Sequence, residues 1–251
     1  MFLKEAPMNT FTLSIVEDFK RIIIEDNRYL KLIDGFFNTL KITFGALVIG
    51  VVIGIIVAAV RTSFDKNRES MKLHGGVGYY ILGFFNFICK IYLTIIRGTP
   101  VVVQLMIIYF VILQSVTNGV IVGIVAFGIN SGAYVAEIFR AGIMSVDEGQ
   151  FEAGRSLGFN YLQTMKSIVI PQMFKAVLPT LLNEFIALLK ETSVAGYVGV
   201  MDLTKSGNVI AGRTFNYVIP LAIVALVYLA VVMLLTSIVG KIERRLRKSD
   251  R

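Results

Sequence analysis

Polar side chains set among apolar neighbours are the first candidates for chemistry in this chain. Asn130, Tyr134 and Glu137 fall at i, i+4 and i+7, with Ser131 beside them, so a helix gathers them into one stripe. A carboxylate in such surroundings is costly and is paired, turned toward water or in use. Glu137 and Arg140 are i,i+3 neighbours and can pair. Two readings of the stripe stay open: the lining of a translocation path, or a hydrogen-bonded seam between helices. A second constellation is Asn183-Glu184 with Lys190-Glu191-Thr192-Ser193. Lys190 and Glu191 read as a helix end at the outer interface, whereas Glu184 falls halfway along. Facing a cavity, its carboxylate can hold a substrate ammonium group. Arg97-Gly98-Thr99-Pro100 reads as a helix start, with Thr99 capping free N–H groups and Pro100 where its missing N–H costs nothing. Arg97 then snorkels to headgroups, and Gln104, one turn further in, faces the path.

Composition defines what must hold these residues. The 251-residue chain is 55% hydrophobic and 17% charged, with mean hydropathy +0.73. Soluble domains run at about 45–50% apolar and about 25% charged, and larger ones split rather than grow oilier. A disordered chain, a disulfide scaffold (the single Cys is Cys89) and an ordinary soluble enzyme all fit poorly. Net charge +8 in a soluble domain would point to nucleic acid. Here the cations flank apolar runs, so anionic lipid headgroups explain them and no nucleic-acid partner is expected.

A crossing helix needs about 20 mostly apolar residues. Residues 42–60 and 214–240 carry no charge. The 39 uncharged residues between Arg97 and Glu137 divide at the polar turn 114–119 into antiparallel helices, about 99–115 and 120–140. A last helix, about 176–200, contains Glu184, Lys190 and Glu191 and crosses only if other helices or a water-filled cavity cover that face. The fold class is therefore an all-α integral membrane protein with five transmembrane helices. Segments 61–97, 140–178 and 241–251 share one side and hold 16 of the 25 Lys and Arg. The positive-inside rule then places the C-terminus in the cytoplasm and the N-terminus outside.

Residues 1–33 read as an amphipathic helix on the outer surface, with Ile15, Phe19, Ile22 and Ile23 opposite Glu17, Asp18, Lys20 and Arg21. They lack the pattern of a cleavable signal, so the first crossing is expected to direct insertion. Gly50-x3-Gly54, Gly119-x3-Gly123 and Gly128-x3-Gly132 allow close helix approach. Segment 141–178 has helical patterning of its own: Phe151, Gly154 and Leu157, then Leu162, Met165, Ile168 and Val169. Gly158 punctuates it and Pro171 ends it. A short helix pair with an apolar edge facing the cytosol is a docking surface.

Those residues carry a family resemblance. Glu152-Ala153-Gly154, three residues, Gly158, nine residues, then Ile168-Val169-Ile170-Pro171 resembles the EAA loop of ABC-importer permease subunits. Gly154 stands where Ala is usual and Ile170 where Leu is usual. The blocks at 97–104, 130–134, 136–140, 149–153, 183–185 and 190–193 resemble the polar amino acid permease branch, and the likeness runs from about 34 to 247. It implies a 34–247 permease domain with a coupling loop at about 142–172, after a 1–33 extension and before a 248–251 tail. The coupling helix, between transmembrane helices 3 and 4, would seat in a cytoplasmic ATPase dimer through Glu152, Ala153, Gly154, Gly158, Ile168 and Pro171. The pathway candidates are Thr99, Gln104, Asn130, Ser131, Tyr134, Glu137, Asn183 and Glu184.

Further partners implied are a second permease subunit (a copy or a paralogue), an extracellular solute-binding protein and an amino acid substrate. Alternating access by rocking of two subunits is the implied mechanism. The sequence holds no Gly-x4-Gly-Lys-Ser/Thr phosphate loop, so ATP and Mg are expected on the partner, with no cofactor and no enzymatic activity in this chain. His74 and Cys89 have no metal-ligand company. The competing expectations are a permease for another small solute, an ion-gradient transporter working through Glu137 and Glu184, and a non-transporting scaffold.

Overall fold

A computed structural model describes residues 17–74 and 76–248. Its elements are α1 Arg28–His74, α2 Val77–Gly98, α3 Val101–Ile112, α4 Gly119–Met144, α5 Glu148–Ser156, α6 Tyr161–Val198, α7 Leu203–Thr214 and α8 Val218–Lys248. No strand occurs among the described residues. Five helices, α1, α2, α4, α6 and α8, are long and apolar enough to cross a membrane.

The centre of the bundle is a parallel pair, α1 and α4, held close by glycines. A Cβ added to Gly50 would lie 3.1 Å from Ser131 Cβ, one on Gly54 2.8 Å from Val135 Cβ, and one on Gly128 2.7 Å from Ile49 Cβ. Facing residues keep a nearly constant offset along the chain, which only a parallel pair can do. All three Gly-x3-Gly pairs serve packing within this chain, Gly119 lying against Val200 and Gly123 against Ile42. Ile42, Ala46, Val122, Ala126 and Phe127 fill the upper seam, joined by Leu105 and Leu188.

Two parallel crossings must be joined by an odd number of crossings, and the chain between α1 and α4 makes one, in two pieces. α2 returns along α1, with Tyr79 stacked on Phe64 and Leu93 packed with Val57. α3 then continues antiparallel to α4, from Asn130 beside Gln104 to Gly119 beside Tyr109. The expected second span, 99–115, is therefore only the outer half of a broken helix whose inner half is Val77–Gly98. Lys90 and Arg97, two of the sixteen cations assigned to one side, lie within that helix rather than in a loop. The 114–119 turn forms where expected, with Asn118 Oδ1 accepting from Val120 N at 3.0 Å.

Three further expectations change. Ile15 lies outside the described residues, and the face with Ile22 and Ile23 does not lie on lipid: both are buried against Leu203, Ile210 and Val224. Positive φ at Asp26 and Asn27 breaks the chain just before Arg28, which donates to Arg21 O at 2.8 Å and to Asp26 Oδ2 at 2.6 Å. α1 therefore begins ahead of the 33/34 boundary. Pro171 does not end a helix. A π turn over Met165–Val169 widens the backbone ahead of it, where an α turn would press its ring on a carbonyl one turn back, and α6 runs on through it. Helix α7, unforeseen, caps the end of the bundle where α1 begins: Gly35 lies against Ser206, and Leu203 N donates to Thr39 Oγ1 at 3.1 Å.

Candidate functional site

The polar stripe of α4 divides into two networks. The first centres on buried Gln104 and Asn130 and closes the helix break. Thr99 Oγ1 donates to Ile95 O at 2.8 Å, so it caps the end of α2 rather than the start of α3, where Pro100 is the N-cap. Gln104 Nε2 reaches Ile96 O at 2.8 Å, Thr99 O at 3.0 Å and Thr99 Oγ1 at 2.8 Å. Asn130 Nδ2 in turn donates to Gln104 Oε1 at 2.9 Å. Gln104 and Asn130 are buried, and their polar atoms are taken up by the break rather than turned to a path.

The second network faces open space. A cavity of about 540 Å³ is lined by Tyr134, Glu137, Gly142, Ser145, Thr180 and Glu184. Ser131 Oγ donates to Glu184 Oε1 at 2.9 Å. Glu137 is held by Arg140 at 3.1 Å and, across the break, by Arg97 at 3.8 Å. The Arg97 guanidinium also sits 5.9 Å from the Tyr134 ring centre, so it turns to this cluster instead of snorkelling to headgroups. Nothing in the local sequence signals that pairing, because 39 residues separate Arg97 from Glu137. Glu184 and Glu137 thus meet on one cavity from different helices. Asn183 is exposed and does not line it. A second cavity of about 690 Å³ shares Ser145 and Ala176 with the first and extends to Asp147, Lys175 and Glu243.

The α4–α6 connection holds the second set of expected residues. Asp147 caps α5, accepting from Gly149 N at 2.7 Å. Asn160 and Gln163 form a reciprocal capping box at the start of α6. Gly158 turns the chain between them at φ +76°. Glu152, Ala153 and Gly158 are exposed, as is Pro171, while Ile168 is half-buried. Gly154 faces inward, where an added Cβ would lie 2.7 Å from Thr164 Cγ2. Leu157 and Leu162 are 69% and 75% exposed, an apolar edge that nothing among the described residues covers.

Five apolar crossings, an open cavity between two of them that bears Tyr134, Glu137 and Glu184, and a structured connection beyond them define a multi-pass membrane transport subunit. The family model described as "Binding-protein-dependent transport system inner membrane component" matches residues 75–248, and the chain belongs to that family. It is 36% identical over 231 residues to the putative glutamine transport system permease protein GlnP of Rickettsia bellii (strain RML369-C), covering 91% of this chain and 98% of that protein. It is 35% identical over 222 residues to the arginine transport system permease protein ArtQ of Bacillus subtilis (strain 168), covering 87% and 94%. A chain from the crystal structure of an amino acid ABC transporter with histidines matches with TM-score 0.75 and 36% identity, covering 93% of this chain and 97% of that one.

Proposed function

We propose that this chain is the membrane-spanning subunit of an ATP-driven importer and carries polar amino acids through the cavity between α4 and α6. The observation that carries this reading is the charge layout of the cavity. Glu184 accepts from the Ser131 hydroxyl and, with a ligand's ammonium group beside it, would supply one negative charge. Glu137, held between Arg97 and Arg140, belongs to a cluster with one net positive charge. A zwitterion fits that pair: its ammonium group at Glu184, its carboxylate toward the arginine cluster. The joined cavities supply a route from these residues toward the α4–α5 turn. Thr99, Gln104 and Asn130 act behind the path by fixing the break that presents Arg97.

Coupling is assigned to α5 and the start of α6, with Glu152, Ala153 and the turn at Gly158 facing a cytoplasmic ATPase dimer. Gly154, Ile168 and Pro171 shape that surface. ATP and Mg belong to that partner, and no cofactor is assigned to this chain. A second permease subunit completes the path, against the α6 face that bears Asn183, and an extracellular binding protein delivers the amino acid. With Lys90 and Arg97 removed from the loop count, the remaining cations still favour the α5 side, so the C-terminus is placed in the cytoplasm and the N-terminus outside.

The test is uptake into proteoliposomes holding the complete transporter. Glu184→Gln is expected to cut amino acid uptake at least tenfold while the ATPase still co-purifies. Unchanged uptake would overturn the assignment of the ammonium site. Uptake that survives ATP depletion but collapses with an uncoupler would favour the ion-gradient reading instead.

A further inference from the structure

α1 does not stop where its apolar run ends at Val60. It continues to His74, and at about 1.5 Å per residue Lys66 stands about 9 Å beyond that run. There it meets the α4–α6 connection. Lys66 Nζ lies 3.3 Å from the centre of the Phe151 ring, on α5. Glu148, on the same helix, and Tyr161, at the start of α6, stand with Lys66 around one space. A cavity of about 540 Å³ beneath these contacts is lined by Asp65, Lys66, Met144, Glu148, Phe151 and Tyr161. Four helices, α1, α4, α5 and α6, converge on it.

We infer that Lys66 is a positioning residue for coupling, a clamp that ties the α5 helix to the far end of α1; the inference rests on the coupling role proposed above for α5. α5 follows α4 after the short turn 145–147, and α6 holds it on another side, with Gly154 against Thr164 and Gln172 Nε2 donating to Gln150 Oε1 at 3.0 Å. α1 and α4 are interlocked through their glycines and move as one body. A further tie, from α1 to Phe151, fixes the angle of α5 against that body. Displacement of α5 by a nucleotide-driven partner is then delivered to α1 and α4 together, and so to the stripe bearing Ser131, Tyr134 and Glu137. A lysine suits the position because its stem packs along apolar surface while the ammonium meets the ring face.

The experiment uses the complete transporter in proteoliposomes and reads amino acid transported per ATP hydrolysed. Lys66→Met keeps length and loses the charge. It is expected to lower that ratio about three- to tenfold, with ATPase co-purification and membrane insertion unchanged. Lys66→Arg, which can still stack on the ring, is expected to restore the ratio. In a Phe151→Leu background, Lys66→Met is expected to add nothing. An unchanged ratio in Lys66→Met, failure of Arg to restore it, or a full additional loss in the Phe151→Leu background would each overturn the clamp. Failure of the wild-type chain to hold an ATPase would overturn the coupling role of α5 itself and the clamp with it.

Discussion

Asn130 donates a 2.9 Å hydrogen bond to Gln104, and Gln104 spends its own amide nitrogen on the carbonyl groups left open where α2 stops. A helix broken beside the middle of a neighbouring crossing exposes backbone groups that lipid cannot satisfy. The two amide side chains supply that satisfaction from within the chain. They also fix where Arg97, three residues before Pro100, points its guanidinium.

Gln104→Leu is expected to destabilise the subunit by about 1–3 kcal/mol, because it leaves part-buried carbonyls and the buried Asn130 amide without partners. Thermal unfolding in detergent measures it. Asn130→Leu should cost less in the Gln104→Leu background than in wild type, a coupling of about 0.5–3 kcal/mol in a double-mutant cycle. Strict additivity would mean that the two residues do not act as one network.

The most apolar crossings were legible in the sequence because hydropathy is a local property. Residues 42–60 and 120–140 fall inside α1 and α4, and the turn before Gly119 forms as its Asn-Gly pair dictates. Val77–Gly98 was not legible as a crossing, since Lys90 and Arg97 mark it as a loop until Glu137 supplies a partner from another helix. The acids behave likewise. Glu137 and Glu184 were visible as costly carboxylates, but their meeting on one cavity depends on α6 packing against α4. Gln104 and Asn130 read as path residues because polarity in an apolar helix looks the same whether it serves a ligand or a broken backbone.

The α1–α4 seam makes a steric prediction. A Cβ on Gly54 would lie 2.8 Å from Val135 Cβ and 2.9 Å from the Ala136 amide nitrogen, and backbone cannot rotate away. Gly54→Ala is expected to lower stability by about 1–3 kcal/mol, the usual cost of overpacking. Gly240→Ala in α8, where nothing lies within 4 Å, should be neutral or stabilising by under about 1 kcal/mol. Melting temperatures of the two purified variants decide the matter, and equal shifts would contradict the interlocked pair.

Two glycines of the α4–α6 connection matter for different reasons. Gly158 has open space around it but φ +76°, so Gly158→Ala strains the backbone by about 1–2 kcal/mol whatever its neighbours do. Gly154 has ordinary φ and no space, being pressed on Thr164. Gly154→Ala is therefore expected to reduce ATPase co-purification and Thr164→Ala to restore it, whereas Thr164→Ala should do nothing for Gly158→Ala. Rescue of both or of neither would show that the two positions do not differ in this way.

Asp202, fully buried, caps α7 by accepting from Thr204 N at 2.9 Å and Lys205 N at 3.0 Å. Burial raises its carboxyl above the ordinary value of 3.8, and those hydrogen bonds only partly oppose the shift. A raised folded-state value means that the folded chain holds the proton more tightly than the unfolded one. The resulting stability is complete below pH 3.8 and is lost as pH rises through the folded-state value. Amide exchange protection of α7, corrected for intrinsic rates, is accordingly expected to fall as pH rises from about 4 to 7. Asp202→Asn keeps a capping oxygen and has nothing to titrate, so its protection should be flat over that range. Asp202→Ala removes the cap and should cost about 0.5–2 kcal/mol, most at low pH where the wild-type contribution is complete. A wild-type profile as flat as that of Asp202→Asn would show that the buried carboxyl does not govern how tightly α7 closes over Gly35 and Thr39.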